Sequence, residues 1–236
     1  MSLTARLLNV FAAPGEVFDF IKTQPHSVAN WILPAVLIVV VSVAGAGFIF
    51  SQDTISHQID EIIDKQMQKS GARGAQADAG RSIAIVITKV SMVAGPAIGA
   101  FIVPFWSGLI LWLVGARILK GNFGYMKAVE AGGLANMIGV LDALVKTLLI
   151  IVLGNLYASP GAALLVKDFN PQNPTHAAIG LLNVMLIWGL IVQSIALARL
   201  SGRSLAVAAM WIFGIAIVFT GTCMGIGFGI QAAFKH

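Results

Sequence analysis

Residues 30–50 read NWILPAVLIVVVSVAGAGFIF, an apolar run without a single charge. About 20 consecutive apolar residues in helical form are enough to cross the hydrocarbon core of a bilayer. The run is continuous and does not alternate with period two, so it reads as a membrane-spanning helix and not as a strand of an outer-membrane barrel. Trp31 stands at its start, where an indole ring anchors at headgroup level.

The rest of the chain agrees. Of its 236 residues, 58% are hydrophobic and 11% charged, and the mean hydropathy is +0.88. Soluble domains carry about 25% charged residues. A water-soluble fold has no way to hide this much apolar side chain, whereas lipid replaces the polar surface. The fold class is therefore all-α: a polytopic membrane helix bundle of about five transmembrane helices, with amphipathic interfacial helices. The net charge is +5. Its basic residues sit mainly at the ends of apolar runs, which points to lipid headgroups as partners and argues against nucleic acid.

Four more spans follow. Residues 83–119 are too long for one comfortable span and short for two, with Pro96, Pro104 and Lys89 inside. A lone Lys at mid-span costs about 2.5–3.5 kcal/mol, so the span is placed at 96–119. Residues 83–95 become an outer approach that leaves Lys89 near the interface. The third span is expected at 132–157, the fourth at 177–197 and the fifth at 205–228. Turns are read at Ser159-Pro160-Gly161, at Asn170-Pro171-Gln172-Asn173-Pro174, and at Arg199 to Ser204.

Two segments are amphipathic. Residues 1–29 carry Leu3, Leu7, Val10 and Phe11 at helical spacing, then a break at Ala13-Pro14-Gly15. A second short helix follows with Val17, Phe18 and Ile21 on one side. These helices lie in the interface, pack under the bundle, or do both. Residues 51–81 set Ile55, Ile59, Ile62, Ile63 and Met67 against Asp53, Asp60, Glu61, Asp64, Lys65 and Lys69. That is an extramembrane amphipathic helix, interrupted at 70–74. The domain reading is thus 1–29 interfacial and 30–233 a five-span membrane domain.

Orientation follows the basic residues. Arg117, Lys120 and Lys127 flank the second–third loop, and Arg199 and Arg203 the fourth–fifth. With five spans both loops share a side with the N-terminus. This predicts an N-terminus on the cytoplasmic side and a C-terminus outside, in a membrane of the inner, ion-tight kind. Nothing at the amino-terminal end reads as a cleaved signal peptide.

The sharpest candidate for function is Asp142 with Lys146. Their i, i+4 spacing puts them on one helix face with the acid first, the better order. Gly132, Ala135 and Gly139 continue that face. The pair is either an internal ion pair that fixes packing or a partner interface, or part of a proton, ion or substrate relay. Asn136, Asn183 and Gln193 are the polar residues able to join such a relay. Gly221, Gly225 and Gly229 recur every four residues in the last span, as Gly95 and Gly99 do before the second. Small residues let helix backbones approach, inside the bundle or at a dimer face.

No chemistry is written in the chain. Cys223 is a single cysteine within an apolar run, and the histidines 26, 57, 176 and 236 are scattered. No phosphate-binding Gly loop, His-Glu-x-x-His or Gly-x-Ser-x-Gly occurs. Catalytic, cofactor and metal residues are therefore expected to be absent.

The order of parts resembles the Yip family, in its bacterial branch. The opening Leu7-Leu8-Asn9-Val10-Phe11, Pro14 and Val17-Phe18-Asp19-Phe20-Ile21 is similar to that family's start. So is Lys120-Gly121-Asn122-Phe123-Gly124-Tyr125 after a span. The last hairpin resembles it most: Asn183-Val184-Met185-Leu186-Ile187-Trp188, then Ala196 to Ser204 with Gly202 in a basic turn. The resemblance covers nearly the whole chain. It implies five spans, a cytosolic N-terminus and no enzymatic activity. Eukaryotic members are linked to Rab GTPases and vesicle traffic. This chain lacks their long N-terminal region and their Asp-Leu-Tyr-Gly-Pro element.

The expected function is a non-enzymatic membrane scaffold or accessory subunit. Its partner is another integral membrane protein, with an ABC-type exporter the candidate, or a second copy. Two alternatives stand beside it. One is a small transporter or channel using Asp142 and Lys146. The other is a lipid-sensing or membrane-shaping protein using the amphipathic segments.

Overall fold

The computed structural model describes residues 1–70 and 75–233. The break expected around 70–74 lies, for residues 71–74, outside the described residues. Among the described residues, five helices are long and apolar enough to cross a membrane, as predicted.

Two short helices open the chain: α1, Leu3–Ala12, and α2, Pro14–Thr23. The Ser2 hydroxyl caps α1 by accepting from the Ala5 N–H at 3.2 Å. Pro14 occupies the first turn of α2, where its missing N–H costs nothing. The predicted apolar stripes are covered by protein: Val10, Val17, Phe18 and Ile21 are fully buried in the main core.

The first span is α3, Ala29–Phe50. α4, Asp53–Ser70, then turns the predicted stripe of Ile55, Ile59 and Ile63 inward. These side chains form a second core with Ile49, Ile150 and Ala158. Each buried Ile contributes about 1.5–3 kcal/mol relative to exposure in water.

The expected approach at 83–95 and span at 96–119 are one unbroken helix, α5, Ala75–Trp112. Pro96 and Pro104 do not break it. A π-helical turn, Leu113–Ile118, continues it, with the Leu119 N–H reaching back to the Val114 carbonyl at 2.8 Å. At 1.5 Å per residue, this helix exceeds the roughly 30 Å of hydrocarbon and must project beyond it. Arg81 ties the projecting part to α4, 2.7 Å from Asp64 and 3.4 Å from Asp60. Lys89 lies 5.8 Å from the ring centre of Phe50, level with the end of α3.

The third span starts earlier than expected. It comprises α6, Tyr125–Ala135, and α7, Met137–Leu153, broken at Asn136. Charges at 127 and 130 read as loop in the sequence, but they neutralise each other inside the bundle. Gly154 in the left-handed conformation (φ 57°) ends α7 before residue 157. The fourth span also differs from its expected range, 177–197. Pro174–Gly180 is a separate short helix, α8, and the span itself is α9, Val184–Ser201. Asn183 forces that start, its Oδ1 accepting from the N–H groups of Met185 at 2.8 Å and Leu186 at 3.2 Å. Gly202 (φ 70°) ends α9, and α10, Leu205–Ala233, is the fifth span.

In the bundle α3 lies against α5, α6 and α7, while α9 packs on α2, α6, α7 and α10. α5 and α6 approach closely: a Cβ on Gly108 would stand 2.8 Å from the Val129 backbone nitrogen.

Candidate functional site

Asn136 sits at the α6–α7 break, its N–H bonded back to the Gly132 and Gly133 carbonyls at 3.0 and 3.1 Å. Gly139 and Asp142 follow on the same face of α7. From α9, Asn183 and Gln193 point into the same space. Four of the five polar residues singled out in the sequence, Asn136, Asp142, Asn183 and Gln193, thus line one cavity of about 210 Å³. The Asn183 amide lies alongside the Asp142 carboxyl group, while its oxygen caps α9. Asp142 Oδ1 is buried and has no hydrogen-bond partner among the described residues.

Lys146 is placed differently. It is exposed and turns to a second, larger cavity of about 690 Å³ on the other side of Asp142. Asn136, Gly139 and Asp142 wall both spaces, and Thr88, Thr147 and Tyr157 add polar groups to the second. Burial pushes the Tyr157 phenol above its ordinary range, so it stays protonated and able to donate. Lys146 and Asp142 do not close to within 4.0 Å as an ion pair. A partly buried carboxylate among three side-chain amides is chemically suited to hold a proton or a small cation. Among the described residues, no three His, Cys, Asp or Glu side chains gather as a metal site.

A second polar cluster went unseen in the sequence. Glu130 on α6 is 1% exposed and accepts a hydrogen bond from Asn30 Nδ2 at the start of α3. Its other oxygen receives Lys127 Nζ at 2.5 Å, and that ammonium also donates to the carbonyls of Ile21 at 2.8 Å and Gln24 at 2.9 Å. The cluster therefore pins the end of α2 to α3 and α6. Its only sequence signal was the i, i+3 spacing of Lys127 and Glu130, hidden by placing the span's start at Gly132.

The glycines recurring every four residues do not pack against other described residues. A Cβ placed on Gly221, Gly225 or Gly229 meets nothing within 4 Å, and the same holds for Gly95 and Gly99. α10 packs along α9, and its Phe219 ring also meets Trp106 of α5, with ring centres 5.6 Å apart. Only 11% of its most apolar stretch is buried, against 33% for α9.

No curated protein and no solved structure matches the chain. The family model of the Yip1 domain matches residues 8–224, from the first helix to the glycine-rich half of α10. This agrees with the resemblance carried by the opening helices, the Lys120–Tyr125 segment and the last hairpin, and the chain belongs to the Yip1 domain family of multi-pass membrane proteins.

Proposed function

We propose that this protein is a non-enzymatic membrane scaffold that holds another integral membrane protein against α10. The observation that carries this is the open glycine face of the last span. Gly221, Gly225 and Gly229 leave room for a foreign helix backbone, and nothing among the described residues comes within 4 Å to fill it. In lipid, apolar area alone does not drive helices together, so close backbone approach at small residues is the usual means. Beside the glycines, Met210, Gly214, Val218 and Thr222 line a shallow groove of about 580 Å³ on the same helix. The multi-pass membrane location is established by the family and the spans. The bacterial inner membrane and the exporter as partner belong to this proposal, as does the cytoplasmic N-terminus, for which the basic loops around Lys120 and Arg203 speak.

The test is purification of a tagged copy from native membranes in mild detergent, with companions identified by mass spectrometry. A stoichiometric integral membrane partner supports the scaffold. A lone chain or a homo-oligomer counts against it.

A second reading has its own support, because Asn136, Asp142, Asn183 and Gln193 do converge on one cavity. On this reading the protein moves protons or a small cation past Asp142. Purified protein in liposomes then shows flux that Asp142→Asn abolishes, and no flux across a panel of cations and a proton gradient rejects it.

A further inference from the structure

At the opposite end of α9 from Asn183, a cavity of about 560 Å³ opens between α2 and the α9–α10 turn. Three cations line it, Lys22, Arg199 and Arg203, against one acid, Asp19. Each cation is held by one contact and keeps donors to spare. Lys22 Nζ donates to the Arg199 carbonyl at 2.7 Å, and Arg203 Nε to the Leu119 carbonyl at 3.1 Å. Arg199 Nη1 lies 3.1 Å from Asp19 Oδ2, with both side chains about half exposed. Its guanidinium rests on Gly15, where an added Cβ would stand 3.1 Å from Nη2.

Ile195 and Leu205 complete the lining. Leu205 opens the apolar run of α10 and is 49% exposed. The cavity thus joins a net positive pocket to the start of a lipid-facing helix. Guanidinium and ammonium groups fixed on backbone carbonyls favour a phosphate oxygen cluster, and basic pockets between helix ends select anionic headgroups. We propose that this cavity binds the phosphodiester of an anionic phospholipid, with its acyl chains running along α10. A free phosphate offers the same oxygens but cannot use the apolar strip beyond Leu205.

The experiment uses the full chain, delipidated in a neutral detergent, with bound lipid counted by native mass spectrometry. Phosphatidylglycerol is expected to stay bound at concentrations at least about tenfold below those needed for phosphatidylcholine. Lys22→Gln with Arg203→Gln is expected to remove that preference. Asp19→Asn is expected to tighten phosphatidylglycerol binding several-fold, and it decides the matter if the double variant does not fold. Equal retention of the two lipids, or an Asp19→Asn variant that binds no tighter, overturns the proposal. Displacement of phosphatidylglycerol by millimolar inorganic phosphate overturns the lipid as the occupant and makes this a soluble-anion site.

Discussion

Glu130 and Asn30 meet by a hydrogen bond inside the bundle, although they lie 100 positions apart in the chain. Lys127 completes the contact and reaches on to two carbonyls at the end of α2. A carboxylate this deeply buried survives only because its charge is matched and its oxygens are filled.

Removing one partner of this pair leaves the other uncompensated, which costs about 3–5 kcal/mol. Glu130→Leu is therefore expected to lower thermal stability in detergent sharply. Lys127→Met with Glu130→Leu is expected to cost less than the two single changes added together. Additive losses in a double-mutant cycle show instead that the two residues act separately.

Asp142 behaves in the opposite way. Its Oδ1 has no hydrogen-bond partner among the described residues, and Lys146 does not come within ion-pair distance, so neutralising the carboxylate breaks no salt bridge and leaves an oxygen for the Asn183 amide. Asp142→Asn is expected to leave thermal stability unchanged or to raise it by about 1 kcal/mol. A loss of several kcal/mol in the same melt contradicts the open geometry around Asp142.

Asn183 has two tasks, capping α9 and facing Asp142. Asn183→Ala removes the cap and is expected to destabilise by about 1 kcal/mol. Asn183→Asp keeps a capping oxygen but sets a second carboxylate beside Asp142. It is expected to be the worse variant at neutral pH and to recover as the pH falls and the pair takes up a proton. Melting both variants across pH checks this. If the Asn183→Asp variant melts at the same temperature at every pH, the contact between the two side chains is not made.

The glycines divide into two kinds. A Cβ on Gly133 would collide with Trp31, whereas one on Gly225 has open space. Gly133→Ala is expected to reduce folded yield strongly. Gly225→Leu is expected to leave the isolated chain as stable as the parent and to act only on what binds α10. Equal effects of the two on detergent-solubilised stability dissolve the distinction.

Much of this fold was legible because lipid imposes long apolar runs. The first span at residues 30–50, the tight turn of the last hairpin and the span after it came straight from that constraint. The stripe of Ile55, Ile59 and Ile63 was equally plain, since its charged face leaves one way to pack. What misled was charge. Lys127 and Glu130 pushed the expected start of the third span inward, because burial of a matched pair depends on carbonyls from a distant helix. Asn183 looked like one more mid-span polar group, yet its side chain caps α9 and starts the span there. Asn136, Asp142, Asn183 and Gln193 were identifiable as intramembrane polar residues. Their convergence was not, because the phase between α7 and α9 is a tertiary property. The same holds for the glycines of α10, whose spacing is the same whether they pack inward or outward.

The most direct measurement is a cross-link from the open face itself. Gly225→Cys, in a Cys223→Ser background, is treated in native membranes with a short heterobifunctional reagent that is thiol-reactive at one end and photoactivatable at the other, and the adducts are identified by mass spectrometry. An adduct with a different integral membrane protein, lost when Gly221→Leu is added, is the expected result. A chain that stays at its own mass, or links only to a second copy of itself, contradicts the scaffold assignment.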